Sequence, residues 1–271
     1  MTVDATEMPV LIEHDGPVTV LTLHRPAALN ALNGALLIRL EQALDDVRRS
    51  TGTRAVVVTG SGERAFSAGA DLGELAGLET SAAYDMLSRG QRVLRALERS
   101  TVPVIAAVNG VALGGGFELV LACTFPVLST RARLGLPETG LGLMPGYGGT
   151  QRLTRAVGTA RAAHLMLAGH RLDAASAHAI GLTPVAPVDG DVCAAAVEIA
   201  HTIAGRGPRA VGATLTALRA GADVGLDAGL ALETALAAQL TAGPEAAVGI
   251  AAFHERRTPV FADRTPIEGE L

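Results

Sequence analysis

Val102–Cys123, VPVIAAVNGVALGGGFELVLAC, is a run of 22 residues that is apolar or small almost throughout. One full charge interrupts it: Glu118, placed just after three consecutive glycines. An ionised carboxylate in such surroundings is costly unless something pairs with it or uses it. The run is long enough to cross a bilayer, but Pro103, Asn109, the glycine triplet and Glu118 fit a membrane span poorly. It reads instead as a buried strand, a turn and a helix, with the charge at the start of the helix.

The segments around this run have matching patterns. Residues 9–14 (PVLIEH) and 17–24 (PVTVLTLH) flank Asp15-Gly16, which predicts a β-hairpin. An amphipathic helix is expected from about Gly34, with Leu36, Leu37, Leu40 and Leu44 on one face and Glu41, Asp45 and Arg48 opposite. RAVVVTGSG from Arg54, VPVIAAVNG and FPVLS (125–129) read as short buried strands. Buried strands alternating with helices indicate an α/β core covered on both faces. Beyond about residue 190 the chain becomes Ala-rich and helical. A division into a 1–190 core holding the site and a 191–271 helical region for packing and oligomerisation is therefore expected.

Composition removes several functions. All 22 basic residues are Arg, since the sequence contains no Lys. That excludes a P-loop and Schiff-base chemistry. A net charge of −5 with 3% aromatic residues and no Trp gives no nucleic-acid surface. Cys123 and Cys193 make no CxxC or metal spacing, and the seven histidines show none either, so no metal is expected. The opening MTVDATEMPV is acidic and lacks the pattern of a signal peptide, so a cytoplasmic protein is expected.

Glycine and reactive side chains meet in three places: Glu63–Leu75 (ERAFSAGADLGEL), the run around Glu118, and Leu134–Leu153 (LGLPETGLGLMPGYGGTQRL). In the first two a strand leads through a glycine turn into a helix, which exposes backbone N–H groups at a positive helix end. Two such groups converging from different loops would form an oxyanion hole, each donor worth about 3–4 kcal/mol. Glu118 and Glu138 could be a helix-terminal acid and a loop cap. Together beside an oxyanion hole they are what proton transfer next to a carbonyl requires.

The ordered series HRPAALNAL, AFSAGADLGEL, AAVNGVALGGGFEL, LGLPETGLGLMPGYGGTQRL and GIAAFHERRTPVF resembles the crotonase superfamily, the enoyl-CoA hydratase/isomerase family, over nearly the whole chain. The resemblance implies an α/β, crotonase-like spiral of ββα units with a helical C-terminal trimerisation region, assembled as a homotrimer or a hexamer of paired trimers. It implies an acyl-CoA thioester substrate, with coenzyme A part of that substrate and no separate cofactor. The backbone amides of Ala70 and Gly115 would form the oxyanion hole, and Glu118 and Glu138 would be the catalytic pair. Coenzyme A would lie near Ala68, Ala70, Asp71 and Leu72. Arg25, Arg64, Arg256 and Arg257 are its candidate cationic neighbours, each otherwise a surface Arg. Residues 75–97 are expected to cover the acyl pocket. Thr124, where the family commonly has Asp, and Ser176-Ala177, near its usual Glu-Ala, are structural departures.

Having both glutamates favours hydration of a trans-2-enoyl thioester. The alternatives are an enoyl-CoA isomerase or other acyl-CoA lyase of the same fold, and an acyl-CoA-binding homologue without activity. Residues 139–149 hold no acid, which disfavours a dienoyl-type isomerase. A dinucleotide oxidoreductase is disfavoured because no GxGxxG follows the first strand.

Overall fold

The computed structural model describes residues 8–264, so the MTVDATE segment read for a leader lies outside it. The Asp-Gly pair joins antiparallel strands β1 (Val10–Asp15) and β2 (Val18–Leu23). Helix α1 (Gly34–Arg49) begins where Asn33 accepts a hydrogen bond from the Leu36 amide, which satisfies one of the free first-turn donors. Its buried stripe is Leu36, Leu37, Leu40, Ala43, Leu44 and Val47.

Three ββα units follow. The first is β3 (Ala55–Gly60), β4 (Ala65–Ser67), the short α2 (Leu72–Leu75) and α3 (Thr80–Glu98). The second is β5 (Val104–Val108), β6 (Val111–Leu113) and α4 (Gly115–Ala122). The third is β7 (Phe125–Leu128), β8 (Arg133–Gly135), a 3-10 turn over Glu138–Leu141 and α5 (Gly149–Val157). Then come α6 (Thr159–Leu167), β9 (Leu172–Asp173), α7 (Ala174–Ala179), α8 (Val192–Ala204), α9 (Pro208–Gly221), α10 (Leu226–Thr241) and α11 (Pro244–His254).

The longer strands form one sheet in the order β1-β2-β3-β5-β7, parallel except for the β1–β2 pair. The shorter ones form a second sheet, β4-β6-β8-β9, parallel except for β8–β9. This second sheet is the part that the sequence reading missed. Both glycine loops leave the short strands β4 and β6, not the long β3 and β5. Three-residue strands are too brief for an alternating pattern to be visible. Asn30 is buried and donates to the carbonyls of Ser61 and Ala65, and Asn109 donates to those of Gly60 and Gly62. These bonds fix the turn between β3 and β4, which accounts for the Asn in HRPAALNAL and in AAVNG.

The first sheet is buried on both faces, as its nearly continuous apolar strands require. Val56, Val58, Val104, Ala106 and Val108 face the cluster containing α1, α3 and α4. Val18, Val20, Ala55, Val57, Ile105, Ala107 and Val127 pack with Val192, Ala196 and Ala200 of α8. The two departures are structural: Thr124 accepts from the Val104 amide through its hydroxyl, and the Ser176 amide donates to Asp173 at the start of α7. Among the described residues no single helix is long and apolar enough to cross a membrane.

Strand β4 of the second sheet and α4 meet with almost no free space at Gly116. A Cβ there would lie 2.4 Å from the Ser67 carbonyl oxygen, whereas one on Gly221 at the end of α9 would meet nothing within 4 Å. Gly116→Ala is expected to destabilise the fold by about 1–3 kcal/mol through overpacking. Gly221→Ala should leave stability equal or slightly raised. Thermal unfolding of the two variants beside the parent checks both directions.

Candidate active site

The first glycine loop is pinned on both sides of Ala70. The Ala68 amide donates to the Leu29 carbonyl at 2.9 Å, the Leu32 amide to Gly69 at 2.8 Å, and the Asp71 amide to Leu32 at 3.0 Å. Asp71 caps α2 by accepting from the Gly73 amide. Amid these bonds the Ala70 N–H has no acceptor among the described residues. On the second loop, Gly114 at φ 50° turns the chain out of β6, and its amide donates to Gly135. The next amide, that of Gly115, is in the first turn of α4, where no intrahelical acceptor exists. The loops touch. A Cβ on Gly115 would lie 3.2 Å from the Ala70 nitrogen, and one on Gly69 3.4 Å from the Gly115 nitrogen. Two free amides from different ββα units therefore lie side by side, an arrangement suited to holding one anionic oxygen.

Glu118 follows in the same helical turn and is 2% exposed. Its Oε1 accepts from the Tyr147 amide at 2.8 Å and from the Gly149 amide at 2.7 Å. Burial pushes its carboxyl up to about 7; the Gly149 and Tyr147 amides oppose this, and the Glu138 charge adds to it. Glu138 opens the 3-10 turn after Pro137, with its Oε1 3.1 Å from where a Cβ on Gly114 would stand. Burial raises its carboxyl too, and its buried Oε2 has no hydrogen-bond partner among the described residues. Burial thus raises both carboxyls above their ordinary values, and the Glu138 charge adds to the rise at Glu118.

The cradle for Glu118 has its own support, which sequence reasoning did not find. Gln91 of α3 donates to the Gly146 carbonyl, and Arg152 donates to the Tyr147 carbonyl at 2.8 Å and to Glu98 at 3.0 Å. Burial would raise Glu98, but hydrogen bonds from Arg152 and Arg95 hold it below its ordinary value. PGYGGTQR is thus a frame for Glu118; its only sequence signal was clustered glycine beside Tyr and Arg.

The cationic candidates are dispersed. Arg25 pairs with Asp71 at 3.0 Å and also donates to the Ala31 carbonyl, so two expected coenzyme A residues engage each other. Arg64 is exposed just before β4, Leu72 is 55% exposed at the start of α2, and Ala68 is half-buried. Arg256 and Arg257 follow α11 and are exposed, with Arg257 paired to Glu255. No hydrogen bond joins those two to the glycine loops among the described residues. No group of three His, Cys, Asp or Glu side chains suited to a metal occurs among the described residues.

This arrangement sits on a chain whose residues 13–264 match the family model for enoyl-CoA hydratase/isomerase. The chain belongs to the enoyl-CoA hydratase/isomerase family. It is 42% identical over 256 residues to the 2,3-dehydroadipyl-CoA hydratase of Escherichia coli K12, covering 94% of this chain and 99% of that one. It is 38% identical over 248 residues to the short-chain-enoyl-CoA hydratase of Clostridium acetobutylicum, covering 92% and 95%. The crystal structure of an enoyl-CoA hydratase from Bacillus anthracis superposes with a TM-score of 0.91 at 38% identity, covering 94% of this chain and 99% of that one. The crotonase fold expected from the motifs is therefore the fold of this family member, including its two-sheet ββα core.

The environment of Glu118 gives a stability prediction. Folding raises its pKa from 4.5 to about 7, so between those values the folded chain holds a proton that the unfolded chain has released. That contribution is fully present at low pH and is lost as pH rises through about 7. Glu118→Gln mimics the protonated form and cannot ionise. Denaturant unfolding at pH 5 and pH 8 should show the parent losing on the order of 1–3 kcal/mol more than the variant.

Proposed function

We propose that this family member hydrates trans-2-enoyl-CoA thioesters to 3-hydroxyacyl-CoA. The observation that carries the reading is the adjacency of the free Ala70 and Gly115 amides to the buried Glu118 and the half-buried Glu138, both with raised pKa values. The thioester carbonyl oxygen would lie between the two amides, which stabilise it as negative charge develops in the enolate. Glu118 would accept a proton from the attacking water as its oxygen bonds to C3. Glu138 would give its proton to C2. The water thus ends as a hydroxyl on C3, and the proton gained by Glu118 restores Glu138 for the next turnover.

The hydrogen bonds support these roles. Glu118 Oε1 already accepts two amides, which favours its anion once substrate is bound, whereas Glu138 Oε2 has no donor among the described residues and suits the protonated form. Coenzyme A would run along Ala68, Asp71 and Leu72, with Arg25 fixed there by Asp71 and with Arg64, Arg256 and Arg257 as further cations. The names of the relatives point to acyl chains of short to moderate length.

Purified protein mixed with crotonyl-CoA should remove the absorbance of the conjugated enoyl thioester. Glu118→Gln and Glu138→Gln should each lower kcat/KM by about 10²–10⁴-fold. Retained activity in either variant would exclude the two-glutamate mechanism. Acyl-CoA binding without loss of absorbance would favour a binding role, and migration of a double bond in a 3-enoyl thioester would favour an isomerase.

We also propose that the C-terminal helices join copies of the chain into a trimer or a pair of trimers. Leu226 (77%), Ile250 (56%) and Phe253 (80%) on α10 and α11 are far more exposed than large apolar residues of an isolated surface need be. Sedimentation velocity should give three or six times the 27.5 kDa chain mass; a monomer would overturn this.

A further inference from the structure

The chain carries a net charge of −5, yet one part of it is strongly positive. A cavity of about 1060 Å³ lies between α3, α5 and α9. Its walls hold Arg92 and Arg95 of α3 with Arg99 just after it, Arg152 and Arg155 of α5, and Arg219 of α9. Glu98 and Asp223 share the wall, so six positive groups face two negative ones and four charges stay uncompensated.

The two acids are already engaged. Glu98 serves both Arg95 at 2.6 Å and Arg152 at 3.0 Å, and Asp223 lies 3.9 Å from Arg155. Among the described residues no carboxylate pairs with Arg92, Arg99 or Arg219. Arg152 Nε is buried and has no acceptor among them. Burial lowers the Arg219 guanidinium from its ordinary value; Glu98 opposes this, and the Arg95 charge adds to it. Like charges around a concave wall repel one another and draw anions into the space between them. None of the candidate catalytic, oxyanion or coenzyme A residues borders this cavity.

We propose that the cavity is a second binding site, for an anion that carries a diphosphate group. The chain has no Lys, so the choice of Arg alone is uninformative; the number and placement of the guanidinium groups carry the inference. They stand on three helices, so a ligand that satisfies them needs anionic oxygens on more than one centre. The planar fork of each guanidinium matches phosphate oxygens in pairs. Leu121, Ala122 and Leu215 supply an apolar stretch of the wall, and the volume leaves room for an organic group attached to the diphosphate. This site is independent of the hydratase reading.

The test is isothermal titration calorimetry of the full chain at low salt with inorganic pyrophosphate, ADP, inorganic phosphate and citrate. Pyrophosphate and ADP should each bind at least about tenfold more tightly than phosphate or citrate, the difference expected from one or more added charge-assisted hydrogen bonds. Arg92→Gln and Arg99→Gln, on exposed residues with no carboxylate partner, should each weaken both diphosphates about tenfold. Arg25→Gln and Arg64→Gln, at the candidate coenzyme A positions, should leave them unchanged. Arg152 is kept intact because it holds the Tyr147 carbonyl. ADP binding more tightly than pyrophosphate would assign an organic diphosphate, and equal binding the free inorganic ion.

A parent that binds neither diphosphate would overturn the proposal, a result that needs no variant to fold. Equal affinity for citrate or phosphate would also overturn it, since that is general attraction of anions by positive charge. So would diphosphate binding that is lost in Arg25→Gln or Arg64→Gln but kept in Arg92→Gln and Arg99→Gln, which would place the ligand at the candidate coenzyme A site.

Discussion

Burying Glu118 in an apolar helix is the constraint around which this fold is arranged. The carboxylate takes two backbone hydrogen bonds, from the Tyr147 and Gly149 amides, and these come from the third ββα unit while Glu118 stands in the second. Its acceptance of both ties the units together at the point where the chemistry would occur. A buried carboxylate that loses such partners costs several kcal/mol or stays protonated. The packing around α4 must therefore be accurate as well as apolar.

That accuracy is supplied by a second layer. Arg152 holds the Tyr147 carbonyl and is itself fixed by Glu98 at the end of α3, while Gln91 holds Gly146. The same helix presents Gly90 to the ring of Tyr147. A single helix thus braces the loop that cradles Glu118 and shapes the space next to it. Tyr147 serves the arrangement twice: its amide holds Glu118, and its ring fills the space between Gly90 and Gly115.

The two short strands β4 and β6 do a related job for the paired free amides. Parallel pairing of Ala65 and Ser67 with Val111 and Ala112 brings two chain segments about 45 residues apart to the same level before each turns into its helix. The free amides of Ala70 and Gly115 follow directly from that shared level. Arrangement by a sheet gives such donors a rigidity that isolated loops lack, and preorganised donors need no reorientation as charge develops.

Much of this could be read in the chain. The Asp-Gly hairpin, the stripe of α1, the buried strands β3, β5 and β7 and the Ala-rich helices all carry local periodicity or turn chemistry strong enough to be seen residue by residue. The motifs around Ala70, Gly115, Glu118 and Glu138 marked the candidate site through their order and spacing, which resemble those of the family; each acid alone could as well have been a helix-terminal or capping group. The second sheet was not legible, since its strands are two or three residues long and their pairing is set by partners far away in sequence. Nor was the cradle: Tyr147 and Gly149 hold Glu118 through backbone amides, which every non-proline residue has, so no side-chain pattern signals them. The sequence by itself determined which residues are apolar, where the chain turns and which acids are unusual, because those are properties of single residues and near neighbours. Only the tertiary structure decided which amides remain free, what holds Glu118 and where the Tyr147 ring stands, because these depend on distances between segments that local chemistry does not set.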